Sequence, residues 1–207
     1  MTETLSVYSD FVCPFCYLGR ESLREYAAET DDPPEVQWEL FDLRGYKRAP
    51  DGSIQDDVDD GKDEDYFDQV RENVARLQEE YDAEMVSLDT IGEVDSWNAQ
   101  QAALFVRQTE DEETFTAFYD AVFDALWQEG RDIGDPDVLS DIAEGVGIDP
   151  DAVRDATEDP QLESELKSEF EAAQKRGITG IPTFVYDGHA ARGAVPPEHL
   201  TRLMGET

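Results

Sequence analysis

The chain's two cysteines sit three residues apart, as Cys13-Pro14-Phe15-Cys16. That spacing constrains the fold, because the two sulfurs can meet if the chain after Cys13 turns at once into a helix. Pro14 suits a first helical position, where its missing N–H has no partner to lose. The unpaired N–H groups and the positive end of the helix dipole then face Cys13. Such an environment brings a cysteine pKa from about 8.5 down to roughly 3.5–7.5. The flanks agree with this geometry. Leu5-Ser6-Val7-Tyr8-Ser9 alternates as a short strand does, and Asp10-Phe11-Val12 leads off its end. Leu18, Leu23, Tyr26 and Ala27 then recur at helical spacing. Strand, short loop, C-x-x-C and helix is the order in which thiol–disulfide redox sites are built.

Two other readings compete. Half a zinc site would need further ligands. There is no second C-x-x-C, and His189 and His199 lie far away in sequence, so no metal site is expected. Two inert core cysteines share the spacing by chance. In a cytoplasmic chain a lone C-x-x-C is more often catalytic than structural.

The chain carries 51 acidic against 16 basic residues, a net charge of −35, yet 10% of it is aromatic. A disordered acidic chain lacks that aromatic content, so this is a folded protein with an acidic surface. The acid is spread along the whole length, which points to high intracellular salt rather than one basic partner. At about 1 M salt the Debye length is only ~3 Å and self-repulsion is screened. No basic stripe meets phosphates, which excludes nucleic acid. No apolar run approaches the ~18 residues of a membrane span, and the start lacks a leader pattern. The expectation is a cytoplasmic protein.

Val36, Trp38 and Leu40 alternate as a second strand, completing a βαβ unit with the first strand and its helix. Residues 44–64 form a long Asp- and Gly-rich loop of the kind that is functional or mobile. Residues 65–175 carry successive helical apolar stripes, the strongest being Phe115, Phe118, Tyr119, Val122, Phe123, Leu126 and Trp127. Helix starts are marked at Asp135-Pro136 and Asp149-Pro150. Thr183-Phe184-Val185-Tyr186 resumes the sheet, Asp187-Gly188 is a hairpin turn, and Ala190 to Gly193 is its partner strand. Pro196-Pro197 opens a terminal helix. Residues 1–64 and 176–207 thus form one discontinuous α/β unit around an all-helical insertion.

Gly180-Ile181-Pro182-Thr183 is the second motif. Alone it reads as a proline at the start of an edge strand. Together with the upstream C-x-x-C, the chain resembles the thioredoxin superfamily, in its DsbA-like branch and FrnE-like subgroup. The resemblance is carried by Tyr8 to Gly19, Gly177 to Phe184 and Gly193-Ala194-Val195-Pro196-Pro197. It implies a thioredoxin-like fold with a large helical insertion and a cis Ile181–Pro182 peptide facing the sulfurs. Three features depart from the family. Phe15 stands where the strong periplasmic oxidant has His, so it offers the thiolate no donor and a less oxidising couple is expected. Val7 stands where many relatives bury an acid, leaving the proton acceptor for Cys16 unassigned. Asn98 and Ala102 match the subgroup's Asn-led helix, but Ala103 and Leu104 replace its His–Arg pair.

The expected activity is thiol–disulfide exchange. Cys13 is the more exposed nucleophile and Cys16 the resolving thiol. Ile181 and Pro182 shape a substrate-docking edge, and Phe11, Phe15 and Tyr17 supply its apolar surround. The redox-active disulfide is the only cofactor. Partners are protein or peptide thiols and low-molecular-weight thiols; direction, donor and oligomeric state are not written in these residues. The same architecture occurs in kappa-type glutathione transferases and 2-hydroxychromene-2-carboxylate isomerases. A non-catalytic peptide-binding holdase is a third class.

Overall fold

The computed structural model describes residues 4–49, 52–55, 58 and 61–205. The first strand, β1 (Thr4–Ser9), runs into helix α1 (Pro14–Glu29), and β2 (Glu35–Leu40) returns parallel to β1, with Val7 opposite Trp38. Six helices follow: α2 (Glu64–Glu80), α3 (Trp97–Thr109), α4 (Glu112–Trp127), α5 (Pro136–Gly145), α6 (Pro150–Ala156) and α7 (Pro160–Lys175). The chain then re-enters the sheet as the hairpin β3 (Thr183–Tyr186) and β4 (His189–Arg192), and ends in α8 (Pro197–Leu203). The sheet order is β2-β1-β3-β4, with β3 antiparallel to both neighbours. The fold is α/β and thioredoxin-like, with its helical insertion between β2 and β3.

Local chemistry explains the element ends. Asp63, Asp111, Asp135, Asp149 and Asp159 cap α2, α4, α5, α6 and α7, each carboxylate accepting from a first-turn N–H. Three of these caps precede a proline at the first helical position. Asp187 (φ 44°) and Gly188 (φ 77°) both have positive φ, as a two-residue hairpin turn requires. The partner strand begins at His189, one residue before the expected start, because the turn consumes only those two residues.

The buried core runs without a break from the sheet into the helices. Its centre is aromatic. Tyr119 on α4 stacks on Trp38 of β2 at 4.7 Å, and Phe11 lies 4.8 Å from Tyr119 and 4.9 Å from Phe123. Arg20 of α1 is also buried, at 2% exposure, with its guanidinium paired to Glu21, Asp120 and Asp124. It ties α1 to α4 and packs over the rings of Tyr17 and Phe123. No helix among the described residues is long and apolar enough to cross a membrane.

Of the long 44–64 loop, residues 50, 51, 56, 57, 59 and 60 lie outside the described set. Its first part is anchored. Gly45–Lys47 forms one 3₁₀ turn, Arg48 bridges to Ile54, and the Arg48 side chain pairs with Asp42 and Asp95.

Candidate active site

Cys13 is the N-cap of α1, in extended conformation, and its carbonyl accepts from Cys16 N at 3.0 Å and Tyr17 N at 3.2 Å. Its own N–H donates to Asp10 O at 3.1 Å, which closes the loop that leads off β1. The first turn of α1 contains no acid, although the chain is rich in acids. The positive end of the helix dipole therefore faces the Cys13 sulfur without a local counter-charge. Both thiols are free.

The segment before β3 supplies the opposite wall. The Ile181–Pro182 peptide is cis, and the Cys13 thiol lies 3.9 Å from the Ile181 carbonyl oxygen, to which it donates. Pro182 comes this close because Gly19 of α1 has no side chain. A Cβ there would stand 3.2 Å from Pro182 Cγ and 3.3 Å from Phe184 Cζ. Trp127 at the end of α4 completes the frame, donating from Nε1 to Phe11 O at 2.7 Å.

Burial pushes the Cys16 thiol well above its ordinary value. Its hydrogen bond to Cys13 and the charge on that sulfur add to the rise, while the Asp10 amide and the Ser9 hydroxyl oppose it. At neutral pH Cys16 keeps its proton. Beside it lies Asp10, 1% exposed and the most deeply buried acid among the described residues. Burial pushes the Asp10 carboxyl up to about 7. Hydrogen bonds from Ser96, Leu43 N (2.8 Å) and Val12 N (3.4 Å) hold it down in part, and the charge on Asp42 adds to the rise. The Tyr119 hydroxyl faces Ser9, Cys16 and Asp10 from α4. Its acidity is suppressed first by burial, and it closes no hydrogen bond of good geometry.

The structure brings together Cys13, Cys16, Ile181 and Pro182, and leaves Phe15, between the two cysteines, partly buried against the core. It corrects the expectation for two residues. Phe11 and Tyr17 are each 1% exposed and belong to the core. Phe11 packs on the α4 aromatics, and the Tyr17 hydroxyl donates to Glu84 O at 2.6 Å. They support the loop from beneath and offer no surface to a substrate. Cys13 is the more exposed of the two thiols, although both are buried, at 3% against 1% for Cys16. What distinguishes the two is the helix terminus. In α3, Ala102, Ala103 and Leu104 are buried and belong to the core, and the partly exposed Asn98 donates to Gly134 O at 2.7 Å. Sequence reasoning passed over Asp10, Ser9, Tyr119 and Gly19. No His/Cys/Asp/Glu cluster able to hold a metal is present among the described residues.

Comparison with known proteins places this arrangement. A family described as the DSBA-like thioredoxin domain matches residues 4–205. An uncharacterized protein, YwbO, of Bacillus subtilis is 30% identical over 211 residues, covering 100% of this chain and 98% of its own. The 2-hydroxychromene-2-carboxylate isomerase of Sphingobium xenophagum is 26% identical over 190 residues, 90% of each chain. Among solved structures, a probable DsbA oxidoreductase of Streptomyces coelicolor superposes with a TM-score of 0.77 at 23% identity, covering 99% of this chain and 91% of that one. The cytosolic disulfide reductase DsbM of Pseudomonas aeruginosa, with GSH, gives 0.63 at 18% identity, covering 91% and 88%.

Proposed function

Because the chain belongs to the DSBA-like thioredoxin domain family, we propose that it is a thiol–disulfide oxidoreductase working through a mixed disulfide at Cys13. The observation that carries this reading is the contact of the Cys13 thiol, at a helix N-cap, with a backbone carbonyl 168 residues away.

In the reducing direction the Cys13 thiolate attacks one sulfur of a substrate disulfide. A bond forms between that sulfur and Cys13, the substrate S–S bond breaks, and the other sulfur leaves as thiolate. Cys16 then gives up its proton and attacks the Cys13 sulfur. The Cys13–Cys16 disulfide forms and the second substrate thiolate leaves, so two electrons have passed to the substrate. Oxidation is the same sequence reversed. Asp10 is the acceptor we assign to the Cys16 proton. Its amide faces Cys16, its carbonyl holds the Cys13 N–H, and a buried carboxyl titrating at about 7 takes and returns a proton near neutrality.

Ile181 and Pro182 form the edge along which an extended substrate lies, and Phe15 offers an apolar contact beside it. Main-chain pairing at such an edge tolerates many substrate sequences. The likeness to a cytosolic reductase with GSH supports a low-molecular-weight thiol partner and a cytoplasmic setting. Phe15 gives the thiolate no donor, which favours the reducing end of the range. A redox titration reads the direction, with about −120 mV marking an oxidant and about −270 mV a reductant.

The Cys16→Ser variant tests the proposal. Incubation with an aryl disulfide is expected to leave one stable adduct on Cys13, seen by mass spectrometry and released by dithiothreitol. A second reading, as an isomerase of the hydroxychromene-carboxylate type, rests on the Sphingobium relative. It requires turnover of that substrate to persist in the Cys16→Ser protein with no adduct formed.

A further inference from the structure

Among the described residues four enclosed side-chain polar atoms lack a hydrogen-bond partner, and two of them, Ser9 Oγ and the Tyr119 hydroxyl, meet at Cys16. Each of these residues is 1% exposed. An unpartnered polar group in a core costs free energy, and native proteins keep few of them. Ala and Phe would fill the same space without the oxygen, so packing alone does not explain either hydroxyl. Ser9 ends β1 opposite Leu40, on the strand face that also carries Leu5 and Val7 into the core. Its hydroxyl faces the Cys16 thiol.

The Tyr119 ring cannot turn its hydroxyl elsewhere. It stacks on Trp38 at 4.7 Å and is flanked by Phe11, Phe115 and Phe123 at 4.8, 5.6 and 5.4 Å. The other polar groups nearby are already engaged. Asp10 draws its hydrogen bonds from Ser96, Leu43 N and Val12 N. Arg20, whose charge is felt at Tyr119, is paired with Glu21, Asp120 and Asp124. In the dithiol Cys16 keeps its proton, and a thiol sulfur is a weak acceptor. A thiolate is a strong one, because hydrogen bonds to an ionised acceptor are roughly twice as strong as neutral ones. The hydroxyls left over in the resting protein are therefore those that a charged Cys16 sulfur would use.

We propose that Ser9 and Tyr119 form a buried hydroxyl chain that receives the Cys16 sulfur as a thiolate in the resolving step, Tyr119 donating to Ser9 Oγ and Ser9 donating to Cys16 Sγ. This rests on the reading of Cys13 and Cys16 as an exchange site, and names the residues that speed its second half. The Cys16 proton passes to the Asp10 carboxylate, the negative charge stays on the Cys16 sulfur, and both hydroxyls keep their protons. When that sulfur attacks Cys13, its electron pair enters the new S–S bond. The substrate sulfur leaves with the charge, and the hydroxyls lose their acceptor again. Donors fixed in place before the charge develops need no reorganisation when it does. Ser9 meets the reacting sulfur. Tyr119 is a positioning residue that acts through Ser9.

The test is the reaction of the reduced protein with a chromogenic aryl disulfide, followed by stopped flow. Attack by Cys13 releases one aryl thiolate at a rate proportional to the reagent. Attack by Cys16 on the mixed disulfide releases the second at a rate independent of it. Ser9→Ala is expected to slow the second phase roughly tenfold or more and to leave the first within about twofold. Tyr119→Phe is expected to slow the second phase severalfold, and to add nothing on the Ser9→Ala background, because it acts through Ser9. Urea midpoints should not fall in either variant, since each loses an unpartnered buried oxygen. A purely structural pair would instead lower the midpoints and change both phases together. That outcome overturns the proposal, as does a second phase unchanged in Ser9→Ala or a double variant slowed by the product of the single effects. The Cys16→Ser adduct reads attack by Cys13 alone. Its failure removes the exchange site, whereas a normal first phase with an unchanged second leaves that site standing and removes only the hydroxyl chain.

Discussion

Replacing Asp10 by Asn separates the buried carboxyl's acid–base role from its place in the fold. The amide oxygen can still accept from Leu43 N, and the NH₂ group faces the weaker Val12 N and Ser96 side. The structural cost is therefore a pH-independent offset of about 1–2 kcal/mol. The electrostatic change depends on pH. The carboxyl titrates near 3.8 in the unfolded chain and at about 7 when buried. Between these values the unfolded chain has released the proton and the folded protein retains it. The unfolded state then binds fewer protons, so wild-type stability falls as pH rises, by about 1.4 kcal/mol per unit. The contribution is complete below the unfolded value and gone once pH passes the folded one. Over this window of about three units the loss sums to about 4 kcal/mol. The Asp10→Asn protein has no such proton, so the difference in its favour grows by that amount between about pH 4 and pH 8. Urea midpoints in constant high salt, followed by the fluorescence of the buried Trp38 and Trp127, measure it directly. Cys16 stays protonated across the range and does not interfere. A stability difference between the two proteins that stays flat from pH 5 to pH 8 would refute an ionisable Asp10 in the core and remove the proton acceptor from the mechanism.

Other outcomes follow from the same geometry. Gly19→Ala is expected to cost roughly 1–3 kcal/mol by forcing Pro182 and Phe184 outward. It should slow adduct formation on the Cys16→Ser background, because the wall facing Cys13 moves. Arg48→Met leaves Asp42 buried without its partner and should destabilise by about 3–5 kcal/mol in urea melts. Trp127→Phe deletes the hydrogen bond to Phe11 O and should cost about 1–3 kcal/mol, with a faster-exchanging amide at Cys13 by hydrogen exchange. Raising potassium chloride from about 0.2 M to about 2 M should raise the melting temperature, since a net charge of −35 is screened over ~3 Å at about 1 M. An equal osmolality of sucrose should not reproduce the full rise.

The parts of the fold legible in the sequence are those whose physics is local. The alternation of Leu5 to Ser9, the Asp-Pro helix starts and the paired positive-φ residues Asp187-Gly188 each act over a few residues, and each element stands where its pattern put it. The meeting of Cys13 with Ile181 and Pro182 was legible for a different reason. Each partner carries a short motif that names the other, so 168 residues of separation did not hide it. Phe11 and Tyr17 show where this reasoning stops. Aromatics beside a reactive cysteine look like a contact surface. Whether they face a substrate or the core depends on what α4 brings beneath them, and Tyr119, Phe123 and Trp127 occupy that space.

Buried charge is the hardest class to read, because a carboxylate or guanidinium carries no mark of its own burial. Asp10, on the loop between strand and cysteine, looks like an ordinary turn acid. Its burial depends on Leu43, three residues beyond β2, and on Ser96 before α3, and nothing near Asp10 announces either. Arg20 left a faint signal. Asp120 and Asp124 stand one helical turn apart on α4, an acid pair placed to meet a cation from a neighbouring helix. That cation is on α1, one turn beyond Cys16. The residues that hold the redox helix against α4 therefore belong to the acid–base balance of the site as well. Removing Arg20 would take away the positive charge that eases ionisation of the buried Tyr119 hydroxyl, and would press it further toward its neutral form.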